Sequence, residues 1–331
     1  LCMSPHKYIK RMVAQYEVMF GEKPRSTYSS PLEKGDHPEL DATHLLAPEG
    51  VTQFQLLVGS LQWAVSLGRF DITTVQWAVS LGRCNITTAA ITLSRFRATP
   101  KIGHLNRAKG VMGYLFKHKH FKIRSRVQVP DLSDLPDKEY EWEHTVYGKV
   151  AETIAKDYPC ALGHCVVLIH YVDANLYHDF LTGRSLTGIL HLVNATPMDW
   201  FSKRQSTVET ATYGSKFVAA RTCTKQILDL QITLRYLGVL IQGKSYMFGD
   251  NDSVVTSSTT PHAKLHKRHT ALSFHRVREA VAAKVLGFYH IPGKNNPADI
   301  LSKHWGYADV RNLLRVLLNW EGDTIASYSN V

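Results

Sequence analysis

Cysteine is scarce in this chain. Five residues, Cys2, Cys84, Cys160, Cys165 and Cys223, are scattered and odd in number. That pattern argues against a disulfide framework and fits a reducing compartment, so an intracellular protein, cytoplasmic or nuclear and not secreted, is expected. Only Cys160 and Cys165 stand close together, and no further pair of ligands follows at zinc-site spacing, so the thiols read as ordinary. No apolar run reaches the ~18–20 residues of a membrane span, and no membrane partner is expected. A signal segment is also missing, and residue 1 is Leu rather than Met, as expected of a cut into a longer reading frame. Acidic residues are in deficit: 28 Asp and Glu stand against 39 Lys and Arg, a balance of +11. An excess of that sign favours a polyanionic partner such as nucleic acid.

What is present divides the 331 residues into two styles. In the first part, Tyr8, Met12, Val13, Tyr16, Met19 and Phe20 recur at helical spacing and predict a helix over residues 4–20. Residues 24–48, rich in Pro, Gly and acids, read as a loop, and helical patterns return over residues 53–120, the last at 108–116. Inside them lies a direct tandem repeat. Residues 61–74 read LQWAVSLGRFDITT and residues 75–88 read VQWAVSLGRCNITT, identical at eleven of fourteen positions. Two short copies do not make a solenoid, so a recent duplication is the simpler account. Residues 127–159 are acidic and Pro-containing and read as a linker.

The second style is β-rich. Residues 166–172 form a β-branched run ending at Asp173, and residues 185–193 and 197–202 predict two more strands. A helix follows over 210–237, a strand over 244–248, a helix over 265–283, a strand over 285–291 and a last helix over 297–304. The order β-β-β-α-β-α-β-α predicts a mixed sheet flanked by helices.

Three carboxylates stand at the ends of these elements. Asp173 follows the first strand, Asp250 follows the strand at 244–248, and Asp299 opens the last helix. If they meet, they offer the oxygen ligands that Mg²⁺ prefers. Two such ions a few Å apart activate a water and stabilise the leaving oxygen of a phosphodiester. Acids at element ends are also common caps, so position alone leaves both readings open.

The words around these acids resemble the ribonuclease H of copia-type retrotransposon Pol polyproteins. Tyr171-Val172-Asp173-Ala174 is similar to the family's first-strand motif, and residues 182–188 (TGRSLTG) resemble its GRSxxG turn. Asp199 to Thr207 (DWFSKRQST) resembles W-x-S-K-[KR]-Q-x-T, and Gly249-Asp250-Asn251 looks like (C/G)DN. Lys267-Arg268-His269 with Phe274-His275-Arg276-Val277-Arg278-Glu279 resembles KH…YHFIRE, and Pro297 to Lys303 (PADILSK) matches the ADI-L-[ST]-K ending. Upstream, residues 57–61 (LVGSL) and 93–114 resemble the tail of the family's reverse transcriptase, without the polymerase's YxDD motif.

The resemblance implies a ribonuclease H-like five-stranded mixed sheet flanked by helices, after a mainly helical reverse-transcriptase tail. The expected layout is a reverse-transcriptase remnant at 1–125, a linker at 126–164, the ribonuclease H-like domain at 165–305 and a C-terminal tail at 306–331. It implies Mg²⁺ as the cofactor, with Mn²⁺ as a substitute, held by Asp173, Asp250 and Asp299. It also implies an RNA–DNA hybrid as substrate and the upstream polymerase as partner. One position departs from the pattern. The family's further metal carboxylate, in E-[YF]-x-A-A, falls on Lys216 of Lys216-Phe217-Val218-Ala219-Ala220. An ammonium ~4 Å from a cation costs ~4 kcal/mol per unit charge at an effective dielectric of ~20, so impaired metal binding and cleavage are expected. Glu209, seven residues earlier and ~10 Å along the helix, is too far away to substitute.

Lys203 and Arg204, with Lys267, Arg268, His275 and Arg278, are the expected nucleic-acid contacts, and a solvated basic face is the plain alternative. The histidines His262, His266, His269 and His275 are poorly spaced for zinc. Trp200 and Tyr171 read as core, and Ser302-Lys303 lacks the context of a nucleophile pair. A non-catalytic nucleic-acid-binding remnant of a decayed element is the second reading of the function.

Overall fold

The structure, a computed structural model, describes residues 2–3, 5–66, 83–126, 128–136, 140–154, 157–265 and 267–319. The first part comprises β1 (Cys2–Met3), α1 (His6–Phe20), α2 (Pro48–Ser66), α3 (Thr87–Ser94), α4 (Ile102–Lys117) and β2 (Lys122–Arg124). Ile9, Met12, Val13 and Tyr16, three to four residues apart, form the buried stripe of α1. Gly21 ends it in the left-handed conformation (φ 68°), its N–H bonded to the Glu17 carbonyl.

Of the tandem repeat, residues 67–82 lie outside the described residues. The flanking pieces, residues 61–66 and 83–88, supply twelve of the fourteen positions of one unit. Leu61, Ala64 and Val65 of the first copy are buried in α2, and Arg83 to Thr88 of the second copy are buried where α3 begins. The Arg83 amide donates to the Ala64 carbonyl at 3.0 Å. In a single unit the arginine stands five residues after that alanine, the spacing of the closing bond in a glycine-capped helix end. Deleting residues 67–80 restores LQWAVSLGRCNITT, and we expect the fold to survive with roughly 2 kcal/mol of added stability from the shorter closure. Urea melts followed by circular dichroism check this, and a variant that no longer unfolds cooperatively contradicts it.

The second part carries β3 (Leu168–Asp179), β4 (Arg184–Val193), β5 (Thr196–Arg204), α5 (Thr212–Tyr236), β6 (Ser245–Gly249), α6 (Asp252–Thr259), α7 (Ala271–Ala282), β7 (Leu286–His290) and α8 (Asp299–Ser302). Its sheet runs in the order β5-β4-β3-β6-β7, with β3, β4 and β5 antiparallel and β6 and β7 parallel to β3. Outside the irregularities at Asn175–Asp179 and His191–Leu192, side chains alternate between the faces. Ile169, Leu190, Leu192, Trp200 and Phe248 join the core of the first part, whereas Val172, Ile189, Met247 and Phe288 pack under α5 and α7. The expected mixed five-stranded sheet with flanking helices is present. Helix α6 was not expected. It is capped by Asn251, whose side chain accepts the Val254 amide at 3.0 Å, an Asn-Asp start that the sequence displays.

Residues 306–319, read above as tail, instead fold back onto the first part as α9 (Tyr307–Leu317) and β8 (Leu318–Asn319). β8 pairs with β2 in a small β1-β2-β8 sheet. Val310, Leu314 and Leu317 supply the buried stripe that a tail would lack. Residues 320–331 lie outside the described residues. No described helix is long and apolar enough to cross a membrane.

Several histidines are buried and held neutral. Burial, reinforced by neighbouring cations or rings, lowers His118 and His178 to about 4 and His304 to about 3. A lowered histidine binds its proton more weakly when folded. Its stabilising effect is thus complete above the unfolded value near ~6.5 and is lost as pH falls toward the folded one. Asp299, raised to about 6 by burial and by the charge of Asp173, works in the opposite direction, one group against three. We expect net stability to drop by about 4 kcal/mol between pH 7.5 and pH 5. Equal denaturation midpoints at the two pH values contradict this.

Candidate functional site

Backbone register brings the acids together. In the parallel β3–β6 pair, Val172 lies opposite Gly249, so the next residues, Asp173 and Asp250, emerge side by side. Asp299 arrives on α8, which is fastened to β3 by Asn296 donating to the Val172 carbonyl at 3.0 Å. The closeness of α8 to the sheet depends on Gly188, the antiparallel partner of Asp173. A Cβ there would lie 2.7 Å from the Ala298 carbonyl oxygen and 2.8 Å from the Ser302 amide. The GRSxxG turn therefore has two glycine roles. Gly183 turns the β3–β4 hairpin with φ 66°, and Gly188 lets the acid-bearing helix touch the strand.

One carboxylate oxygen from each of Asp173, Asp250 and Asp299 lies within 4.8 Å of the others. The three predicted ligands are thus brought together beside the adjacent central strands β3 and β6. Two ammonium groups stand among them. Lys216 Nζ, reaching in from α5, lies 2.8 Å from Asp173 Oδ1 and also bonds Asp250 Oδ1. Lys303 Nζ lies 2.9 Å from Asp299 Oδ1 and 3.3 Å from Asp173 Oδ2. The Ser302 hydroxyl donates to Asp173 Oδ2. Burial alone would raise the Asp173 carboxyl, but the charges of Lys216 and Lys303 and these hydrogen bonds outweigh it and hold it at about 2. Burial would likewise lower both lysines, and the facing carboxylates raise them instead.

The donor set suits a hard divalent cation. Its surroundings do not. The cavity lined by Asp173, Lys216, Asp250 and Asn251 measures about 10 Å³, room for at most one water. The gap between Asp173 and Asp250 is filled by an ammonium, and a cation would have to displace it.

Lys303 and Ser302 are site residues that sequence reasoning set aside. The available signal was the four-residue spacing from Asp299 to Lys303, which places a carboxylate and an ammonium on one helical face. Glu209 takes no part in the cluster, since its carboxylate meets His269 Nε2 at 2.9 Å.

The expected nucleic-acid contacts divide. Lys203 and Arg268 are exposed, and Lys267 reaches Thr210 at the start of α5 with Nζ 3.2 Å from Oγ1. His275 is exposed, and its Nδ1 and the Tyr147 hydroxyl share a hydrogen bond of 2.7 Å. Arg278 corrects the expectation. It is buried, donates to the carbonyls of Ser257, Thr260 and Pro261, and lies against Trp142, Tyr147 and Phe274. Its guanidinium satisfies the carbonyls at the end of α6, which fixes it inside the protein. Arg204 is half-buried and paired with Asp179 at 2.5 Å, a carboxylate it shares with Arg95. Trp200 is fully buried and Tyr171 stacks on Phe248, both as core.

Sheet order, flanking helices and three acids beside the central strands define a mixed α/β domain with a carboxylate centre closed by lysines. By sequence, the chain is similar to retrovirus-related Pol polyproteins of plant transposons. It is 29% identical over 144 residues, 44% of its length, to the polyprotein from transposon TNT 1-94 of Nicotiana tabacum. To that from transposon RE2 of Arabidopsis thaliana it is 21% identical over 264 residues, 80% of its length. The chain spans 11% and 15% of the lengths of these relatives. No protein-family model matches it. Among solved structures it is similar to the N-terminal RNase H domain of rv2228c from Mycobacterium tuberculosis, with a TM-score of 0.33 and 10% identity over 45% of this chain and 97% of that one. Similarity to LC11-RNase H1 in complex with an RNA/DNA hybrid gives a TM-score of 0.33 and 19% identity, over 41% and 93% of the two chains.

Proposed function

We propose that residues 165–305 are the ribonuclease H-like domain of a copia-type retrotransposon polyprotein. In this reading they follow a reverse-transcriptase remnant at 1–125 and a linker at 126–164. The domain engages RNA–DNA hybrids through their shape and the 2′-hydroxyls of the RNA strand. Cleavage of that strand is the reaction the resemblance implies, with Mg²⁺ or Mn²⁺ supplying water activation and charge stabilisation when bound. In this copy Lys216 suppresses it. The observation that supports the reading is the meeting of Asp173, Asp250 and Asp299, each at the position the resemblance names, around an ammonium where the family has an acid.

The closed site also favours a second reading, hybrid binding without turnover. A cleavage assay on the full chain with Mg²⁺ or Mn²⁺, run beside a binding titration at several salt concentrations, separates the two. Steep salt dependence with no cut RNA supports the binding-only form. Rapid cleavage by the unmodified chain removes the role given to Lys216.

A further inference from the structure

The acidic cluster and its occupants disagree about what the site holds. Three carboxylates and two ammonium groups leave it with a formal charge of −1. Glutamate at position 216 would make that −3. A cluster at −3 repels a backbone phosphate unless a divalent cation bridges the two, and at −1 most of that repulsion is gone. The ammonium groups also have donors to offer. Each carries three N–H bonds and meets two carboxylates here, so a third N–H remains on each. Lys303 is 38% exposed, open enough to meet a ligand from solvent. Lys267 and Arg268 extend the positive charge along the start of α5, the end of the helix that carries Lys216.

We infer that Lys216 replaces the cation toward the nucleic acid as well as toward the aspartates. The former metal centre is then a docking point for a backbone phosphate that needs no divalent ion. This rests on the ribonuclease H-like reading above and adds a property that an intact, metal-requiring site would lack.

The test is fluorescence anisotropy of a labelled RNA–DNA hybrid with the full chain, in EDTA and in Ca²⁺, a hard cation for carboxylate sites. Lys216→Glu and Lys216→Met are measured alongside, each first shown to melt cooperatively. The unmodified chain should bind equally well in both buffers, within about twofold. Lys216→Glu should lose about tenfold in EDTA and recover in Ca²⁺. Lys216→Met removes the ammonium without adding a carboxylate, which leaves the cluster at −2, and should bind more weakly in EDTA with a salt slope reduced by about one, as when a single phosphate contact is removed. The inference is overturned if the unmodified chain requires Ca²⁺, or if Lys216→Met binds in EDTA with unchanged affinity and slope. Failure of every variant to bind hybrid in either buffer overturns the hybrid-binding reading itself, and this inference with it.

Discussion

Lys216→Glu is expected to convert a metal-indifferent protein into a metal-dependent one. In the unmodified chain Lys216 and Lys303 offset two of the three aspartate charges and occupy the space among them, so the melting temperature should be the same in EDTA and in Mg²⁺. The substitution sets four carboxylates against one ammonium. Without metal the variant should melt below the parent, because like charges at this spacing repel by several kcal/mol in a partly buried site. Adding Mg²⁺ or Mn²⁺ should then raise its melting temperature, by about 2.7 kcal/mol of stabilisation once the ion reaches a hundred times its Kd. Removing ~4 kcal/mol of ammonium–cation repulsion corresponds to roughly a thousandfold in ion affinity, and cleavage of the hybrid should rise by a comparable factor. Calorimetric titration with Mn²⁺ and a cleavage assay read both effects. Equal ion affinity and equal cleavage in the two proteins would refute this account of the site.

Gly188→Val should be the most damaging single change outside the acids. The added Cβ meets backbone atoms of Ala298, Leu301 and Ser302, none of which can turn aside as a side chain tip can. The strand or α8 must move, and α8 carries Asp299, Ser302 and Lys303. Overpacking of this kind costs about 3 kcal/mol, at the upper end of the usual range. The loss should appear in urea unfolding, together with weaker metal binding when the change is made in the Lys216→Glu background. Gly59→Ala is the control. Its Cβ would meet only the tip of the Arg97 side chain at 3.8 Å, and it lies within α2, where alanine stabilises by up to ~1 kcal/mol. A Gly188→Val protein as stable as the parent would show that α8 does not depend on the glycine.

By itself the amino-acid order determined the elements and the chemistry each carries. Alternating and helical periodicities marked the strands and most of the helices. The motifs placed an acid within β3, after β6 and at the start of α8, and showed Lys216 where an acid belongs. These features are local, set by the nature of a residue and its near neighbours. Tertiary structure decided which charges meet. The Val172–Gly249 register aligned Asp173 with Asp250, and the gap at Gly188 admitted α8 and with it Lys303. It also took Arg278 into the interior, drew residues 307–319 back onto β2, and joined the two copies of the repeat through the Arg83 amide and the Ala64 carbonyl. Such outcomes depend on packing between segments far apart in the chain, where a charge finds its partner only after the backbone has fixed how closely the two can approach.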